Sequence, residues 1–366
     1  MAARLLLVAS ALALFAGGCK DRKPTRGAVR VVVDAGAAPV DAGVPDLGFV
    51  RGDVVIDQLR DGRHQPARLD PATRSWVLLG DGVGDLYVTG HRLGDGLLAI
   101  ATVGSHEDDH QEQLAIVIGA RVARFGPTAK QVRHPSAAGG AVVFASDLAS
   151  YSDLYAITPT APPRRLTDDA AGNFEPALAP DGARVAFASS RDGNAELYVQ
   201  PVAGRAARRL TDASRDDWNP AWSPDGSQLA FLSDRTGSDR VHLIPAAGGE
   251  ARRLSSEPGT TAMEEQPAWS PDGRAVAFVR MGGGRAAITI VDVATGATRT
   301  LTPDGDADRG FAWSPDGQAM IVARRAASGA ATVVLVRVAD GAVLDRWPGD
   351  PAYLRWIAPS PVTPAR

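Results

Sequence analysis

Two sets of charged residues recur along the chain and could together form an ionic binding surface. The acidic set precedes Trp- or Leu-containing motifs. Its members, with one neighbouring aromatic residue, are Asp168, Asp169, Glu175, Asp216, Asp217, Trp218, Glu264, Glu265, Asp306 and Asp308. The basic set follows apolar runs and comprises Arg191, Arg235, Arg280, Arg324 and Arg325. If the fold brings both sets to one end, that end could bind a charged partner, although a solvated charged face would have the same composition.

Two short segments have the composition of metal sites without the spacing. Asp304, Asp306 and Asp308 alternate as at the start of a calcium loop, yet the glycine comes one position late and no bidentate Glu follows. His106 and His110 would share one face of a helix, but their segment is predicted to be a loop. We therefore predict no metal ion and no cofactor.

Catalytic signatures are absent from the sequence. It contains no Gly-x-Ser-x-Gly nucleophile motif, no phosphate-binding loop and no dinucleotide-binding fingerprint. An enzyme would have to assemble its site from several parts of the chain, for example from His91, His134 and His242. The sequence thus favours a noncatalytic protein, with a carbohydrate lyase or hydrolase as the alternative.

A repeated motif sets the spacing of the charged residues. The segments EPALAPDGARVAFASSR, NPAWSPDGSQLAFLSDR, QPAWSPDGRAVAFVR and GFAWSPDGQAMIVAR are versions of one pattern, and weaker versions precede them. The glycines that mark the turns follow one another at intervals of 42 to 47 residues: Gly52, Gly96, Gly140, Gly182, Gly226, Gly273 and Gly317. A period of this length indicates a repeat architecture.

Each repeat has the composition of four short β-strands. Ser-Pro-Asp-Gly suits a type I turn, with Pro fixing φ at its second position and Gly closing it. The apolar runs VAFA, LAFL and VAFV that follow are typical of strands buried on both faces. A third strand such as ELYVQPV and a short basic fourth strand such as RRLT complete the unit. We predict an all-β fold, a single β-propeller of seven four-stranded blades, with six or eight as alternatives.

Residues that recur at one position of every repeat can be distinguished from residues that could form a single functional site. Trp222, Trp269 and Trp313 occupy the same position of successive repeats, and Trp356 resembles them. A residue that returns in every repeat is expected to pack rather than to form a single site. The turn aspartates of the Ser-Pro-Asp-Gly motifs are expected to hold local hydrogen bonds for the same reason.

The repeat resembles that of the TolB-type, WD40-like propellers. The matching features are Pro-x-Trp-Ser-Pro-Asp-Gly, an apolar strand with Ala-Phe, Ser-x-Arg, Leu-Tyr-Val and Arg-Leu-Thr, and they are strong over residues 133–323 and weak over 48–132. TolB has an additional α/β domain before its propeller, for which this sequence has no pattern. The resemblance therefore implies the fold, whereas the Tol-system role carries over poorly.

The last segment is expected to close the ring. AYLRWIAPSP, from Ala352, reads as one more Trp-bearing first strand without its turn. We expect it to pair with the strands of residues 53–79, so that both ends of the propeller share one blade and no sheet edge is left open.

The N-terminal residues have the composition of a lipoprotein signal. Residues 1–18 combine basic Arg4 with an apolar run from Leu5 to Ala16, which is too short for a permanent membrane span. Cys19, the single cysteine of the chain, follows Ala16-Gly17-Gly18 and resembles the lipidated cysteine of bacterial lipoproteins, although Leu is commoner than Ala at position 16. Residues 19–47 read as a lipidated Cys and flexible linker, and 48–366 as the propeller.

Together these features predict a membrane-tethered envelope lipoprotein, facing the periplasm or the cell surface. A net charge of −3 and the lack of Lys/Arg-rich blocks argue against nucleic-acid binding. The expected role is noncatalytic: the propeller would bind an envelope protein, or peptidoglycan or another glycan, through the charged loops.

Overall fold

Seven antiparallel four-stranded sheets stand around a ring as the blades of a β-propeller. The computed structural model describes residues 52–359 except 61–62, 81–84, 104–110, 150–151, 205, 256–261, 303–306, 327 and 350–353. The predicted signal peptide, Cys19 and the linker lie outside the described residues, as do Asp304, Asp306, His106 and His110. The predicted all-β fold and the count of seven blades are confirmed.

The blades follow one another in chain order. Blade 1 contains β1 (Asp53–Arg60), β2 (Arg63–Asp70) and β3 (Ser75–Leu78). Blade 2 contains β4 (Leu86–Leu93), β5 (Gly96–Val103), β6 (Gln111–Ile118) and β7 (Arg121–Ala129). Blade 3 contains β8 (Val132–Ala138), β9 (Ala141–Ser146), β10 (Asp153–Thr158) and β11 (Ala161–Arg165). Blade 4 contains β12 (Asn173–Leu178), β13 (Arg184–Ser189), β14 (Glu196–Pro201) and β15 (Arg208–Arg209).

The second half of the ring repeats this arrangement. Blade 5 contains β16 (Asp217–Trp222), β17 (Gln228–Ser233), β18 (Arg240–Pro245) and β19 (Arg252–Arg253). Blade 6 contains β20 (Met263–Trp269), β21 (Ala275–Gly282), β22 (Arg285–Asp292) and β23 (Thr298–Thr300). Blade 7 contains β24 (Ala307–Trp313), β25 (Ala319–Arg325), β26 (Ala331–Arg337) and β27 (Val343–Pro348). The last strand, β28 (Leu354–Ile357), completes blade 1.

The closing strand pairs as the sequence predicts. β28 is antiparallel to β1, with Asp53 opposite Ile357 and Ile56 opposite Leu354. It is the inner strand of blade 1, in the place that β4, β8, β12, β16, β20 and β24 occupy in their own blades. The two ends of the propeller are thus held in one sheet, and the inner edge of β1 is covered.

The apolar core is divided among the seven seams between neighbouring blades. Each of the seven clusters of buried side chains draws on two adjacent blades, including the seam between blades 7 and 1. The second strands are buried on both faces, as their continuous apolar runs predict, and their phenylalanines are fully buried: Phe144, Phe187, Phe231 and Phe278. Each blade therefore buries apolar side chains against a neighbour on both sides.

The recurring tryptophans link each blade to the one before it. The indole Nε1 of Trp222 donates to the carbonyl of Ala177 at 2.9 Å, and Trp269 and Trp313 donate in the same way to Ala221 and Ala268. Their packing role follows from this contact as well as from their burial. In the Ser-Pro-Asp-Gly turns the aspartate accepts from the serine, as in the 2.6 Å bond between the Ser223 hydroxyl and Asp225.

One predicted turn is displaced. Gly96 is the first residue of β5, and the left-handed glycine of that turn is Gly94, with φ of +60°. The weaker motif of this blade has Gly-Asp-Gly in place of Pro-Asp-Gly, so the sequence offers two glycines for one turn position. In the part of the chain that the structure describes, no helix is long and apolar enough to cross a membrane.

Candidate functional site

The loops before the inner strands and after the second strands lie at one end of the blades, which we call the charged loop face. Arg191 follows β13 and contacts Asp169, which precedes β12, at 2.9 Å. Arg235 follows β17 and contacts Asp217, the first residue of β16, at 2.7 Å. The acidic and basic sets of the sequence are therefore neighbours, because antiparallel pairing of the two strands brings these loops together.

Three of the predicted acidic residues are buried and paired with arginines of their own blade. Asp217, Glu264 and Asp308 are each at most 2% exposed. Arg280 contacts Glu264 at 3.2 Å, and Arg324 contacts Asp308 at 2.8 Å. Burial raises the pKa of Asp217, with Arg235 acting in the opposite direction. These pairs fasten the inner strand to the second strand and present little free charge to a partner.

Other predicted residues are bound to the backbone of a neighbouring segment. Asp216 accepts a hydrogen bond from the amide of Ala195 at 2.8 Å. Glu175 accepts from the amide of Asn219 in the next blade at 2.6 Å. Glu175 and Asn219 both stand in the left-handed region, with φ of +53° and +54°, at bulges in their inner strands. Asp168 is exposed, and Trp218 is half-buried against the seams of blade 5.

Glu265 belongs to a group of carboxylates that we call the acidic sector, together with Asp234 and Asp239. Burial raises the pKa of Glu265, and the charge of Asp239 raises it further. Burial likewise raises the pKa of Asp239, with a further contribution from Asp234. Among the described residues, the carboxylates of Asp239 and Glu265 have no hydrogen bond or ion pair, whereas Asp234 contacts Arg215 at 3.3 Å. Unlike the buried acids, Asp239 and Glu265 have no arginine in direct contact, although the nearby charge of Arg240 lowers the pKa of Asp239.

Sequence reasoning did not identify Asp234 or Asp239 as site residues. Both lie in the loop after β17, in the segment SDRTGSDR, from which only Arg235 was selected. A count of every charge in each loop would have found them. The pairing of half-buried Arg235 with Asp217 could not be predicted from the sequence, because it depends on the register of β16 and β17 across a bulge.

The three histidines of the enzymatic alternative do not converge. His91 and His134 lie on the neighbouring inner strands β4 and β8. His242 is on the third strand of blade 5, is 2% exposed, and packs against Phe231 with ring centroids 5.6 Å apart. The described residues also contain no group of three or more His, Cys, Asp or Glu that could hold a metal ion.

Buried His242 makes the stability of the propeller sensitive to acid. Burial lowers the pKa of His242 to about 4 from its ordinary value of 6.5. Because the folded state keeps the His242 imidazole neutral, the contribution of this residue to the free energy of unfolding is complete above pH 6.5. That contribution is lost as the pH falls toward 4. Tyr155 and Tyr198 occupy this position in blades 3 and 4, opposite Phe144 and Phe187. We therefore use the substitution His242→Tyr as the test.

When the pH is lowered from 7.5 to 4, we expect the free energy of unfolding of His242→Tyr to rise by about 3 kcal/mol relative to that of the wild type. The measurement is urea unfolding of both proteins at the two pH values. His91 and His134 remain in both proteins, so their own titration cancels from the difference. An identical loss of stability in both proteins on acidification would contradict the assignment.

Comparison with known proteins gives a family and a set of related folds. The family model described as "TolB beta propeller domain" matches residues 138–355. TolB from Acinetobacter baumannii is 20% identical, with a TM-score of 0.52 over 83% of this chain and 82% of that one. A puromycin-hydrolyzing peptidase from Mycobacterium tuberculosis is 16% identical, with a TM-score of 0.60 over 89% of this chain and 57% of the peptidase.

A third similar structure is an enzyme of another class. Oligogalacturonate lyase from Vibrio parahaemolyticus is 12% identical, with a TM-score of 0.58 over 82% of this chain and 86% of that one. No curated protein sequence matches the chain significantly. At these identities the structural likenesses establish the fold alone, because one fold hosts many functions.

Proposed function

Because the chain belongs to the TolB β-propeller domain family, we propose that it is a noncatalytic cell-envelope lipoprotein whose propeller binds a protein partner through the charged loop face. The family membership supplies the scaffold: a closed ring of seven blades with loops held at fixed positions. Such a scaffold presents residues of several blades to one partner without refolding. The proposal concerns what is bound and where the protein resides.

The observation that carries the proposal is that two carboxylates of the acidic sector, Asp239 and Glu265, form no described ion pair. Most acids of the charged loop face are neutralised by an arginine or bound to the backbone, as Asp217 and Asp216 are. The pKa of Glu265 is instead raised by burial and by the charge of Asp239, and the pKa of Asp239 by burial and by Asp234, while Arg240 lowers it; neither carboxylate forms a described ion pair. A partner that brought Lys or Arg to this sector would relieve the repulsion, so we propose a basic segment of an envelope protein as its ligand.

The location in the envelope rests on the N-terminal sequence. Arg4, the apolar run from Leu5 to Ala16 and Cys19 fit a signal peptide that ends at a lipidated cysteine. The following segment, to residue 47, is rich in Ala, Gly, Pro and Asp and would act as a flexible tether. The propeller would then face the periplasm or the cell surface from its lipid anchor.

Charge reversal in the acidic sector is expected to abolish partner capture. The variant Asp239→Lys/Glu265→Lys changes two carboxylates that hold no described contact, so the fold should be retained. The control is Glu250→Lys, an exposed carboxylate in the loop after β18, at the opposite end of the blade. Tagged proteins are recovered from crosslinked envelopes, and their captured proteins are compared by mass spectrometry.

The expected result is one envelope protein that is enriched at least tenfold by the wild type and by Glu250→Lys but not by the sector variant. If all three baits capture the same proteins in the same amounts, binding through the acidic sector is refuted. If the wild type captures no protein but retains peptidoglycan or glycan fragments, the ligand is of that other class and the protein-partner proposal fails.

Lipidation has a separate test. We expect Cys19→Ser to lose incorporation of labelled palmitate and to move from the membrane fraction to the soluble fraction, since no other cysteine can take its place. The control is Ser10→Ala, a substitution in the predicted signal segment that leaves the cysteine intact. Unchanged labelling and fractionation of Cys19→Ser would refute the lipid anchor.

A further inference from the structure

One residue of each inner strand lies at the same level of the ring, directly before the position of the recurring tryptophans. In blades 4 to 7 this residue is alanine. In blades 1 to 3 the same level holds Arg355, His91 and Ser136. His91 directly precedes Arg92, which pairs with Leu97, as Ala177 directly precedes Leu178, which pairs with Val185. Three adjacent blades therefore depart from the repeat in the same place, and each replaces a small apolar residue by a polar one.

The inner strands line the central channel, and this level remains partly accessible. The alanines of blades 4 to 7 are half-buried, and so are His91 and Arg355, while Ser136 is 8% exposed. We call the three polar residues the polar arc. It lies on the opposite side of the ring from the acidic sector of blades 5 and 6, so the two features are separate.

The polar arc has a hydrogen-bond donor that its own contacts do not use. The hydroxyl of Ser136 accepts from the amide of Leu178 at 3.1 Å and lies 3.4 Å from Nε2 of His91. If the hydroxyl donates to Nε2, the imidazole carries its proton on Nδ1, which is buried and makes no hydrogen bond of normal geometry among the described residues, although the Thr89 backbone interacts with the ring and raises the pKa of His91. If Nε2 donates instead, the hydroxyl proton is left over. Either tautomer leaves one N–H or O–H to donate.

Positive charge adjoins this unused donor. Burial, helped by the charge of Arg355, holds the pKa of His91 at about 4, so the imidazole is neutral at pH 7 and the guanidinium supplies the charge. Arg355 crosses the backbone at Gly90, where a Cβ would come within 2.6 Å of its Cδ, and φ of +92° also favours glycine there. Asp57 is an acidic group near Arg355, and it is also bonded to His64 at 2.9 Å.

We propose that Arg355, His91 and Ser136 form a binding site for a small oxyanion, the carboxylate or phosphate group of a ligand that enters the channel. A guanidinium, an imidazole and a hydroxyl are all donors, and oxyanions are the acceptors that such a set prefers. An anion here would accept the unused hydrogen bond and would offset the charge that now disfavours protonation of His91.

The test follows the His91 ring by NMR in the full-length protein at pH 6 and constant ionic strength, with inorganic phosphate or acetate replacing chloride. We expect saturable shifts of the His91 resonances with at least one anion, and at least tenfold weaker binding by Arg355→Ala and Ser136→Ala. These variants restore the alanine of blades 4 to 7, so they should fold, and their urea unfolding is recorded. Arg309→Ala, which removes an exposed arginine of the inner strand of blade 7, is the matched control.

Phosphate binding without acetate binding would assign the site to phosphate esters, and the converse to carboxylates; both results support the site. Linear, non-saturating shifts with both anions, or equal binding by folded Arg355→Ala and the wild type, would overturn it. Equal weakening by Arg309→Ala would also overturn it, because the effect would then be one of general charge.

Discussion

Replacing Glu264 by alanine is expected to lower the free energy of unfolding by about 3–5 kcal/mol, the cost of breaking a buried charge pair from one side. Glu264 is 1% exposed and joins two blades. Its carboxylate accepts from the Val241 amide at 2.8 Å and the Ser255 hydroxyl at 2.7 Å, both in blade 5, and from Arg280 in blade 6. Its removal would leave the buried Val241 amide without its acceptor and would take a charged partner from the half-buried Arg280 guanidinium.

The next residue supplies the matched control. Glu265→Ala removes a carboxylate that has no described hydrogen bond and is repelled by Asp239, so it should change the unfolding free energy by less than about 1 kcal/mol. Urea unfolding at pH 7 measures both variants. Equal destabilisation by the two substitutions would contradict the separation of structural and surface acids on the charged loop face.

The double substitution Leu354→Ala/Trp356→Ala is expected to open the ring, with a loss of about 5–8 kcal/mol from two large-to-small core changes. Both side chains are buried in the seam between blades 7 and 1. They belong to β28, the only described strand that joins the C-terminal part of the propeller to blade 1. Loss of its packing exposes that seam and the inner edge of β1.

Hydrogen exchange distinguishes local opening of the propeller ring from a general destabilisation of the apolar core. We expect amides of β1, which pairs with β28, to lose protection before those of β13, which lies within continuous blade 4. The matched substitution Leu178→Ala, in the seam between blades 3 and 4, should leave β1 protected. Protection of β1 that outlasts that of β13 in the double variant would contradict closure by β28.

The fold could be predicted from local sequence patterns because one repeat contains almost all the residues of one blade. The Trp-Ser-Pro-Asp-Gly motif, the apolar second strand and the period predicted both the four-stranded unit and the number of blades. Closure by AYLRWI was predictable because this segment resembles a first strand but has no second strand after it. The strands of residues 53–79, which lack a first strand of their own, are the remaining partner. The prediction of Gly96 as the turn glycine of blade 2 was wrong because Gly94 and Gly96 both suit the turn. Only the strand register distinguishes the two glycines.

The site was predictable only to the level of a charged face. Sequence places Asp217 and Arg235 near the same end of a blade, but their pairing depends on the bulge between Trp218 and Ala221. Burial of Glu264 and the greater exposure of its half-buried neighbour Glu265 follow from strand alternation, which the bulges obscure. The acidic sector arises between two blades, where Asp239 of one meets Glu265 of the next, and such a contact has no signature within a single repeat.

Photo-crosslinking from the acidic sector is the measurement that tests partner binding most directly. A benzophenone amino acid replaces Thr236, an exposed residue of the loop that contains Asp234 and Asp239, or Ala247, an exposed residue at the opposite end of the same blade. We predict that irradiated cells give one crosslinked envelope protein from position 236, joined through a Lys- or Arg-rich segment, and none from position 247. Identical products from both positions, or a crosslink at 236 to an acidic segment, would contradict the account.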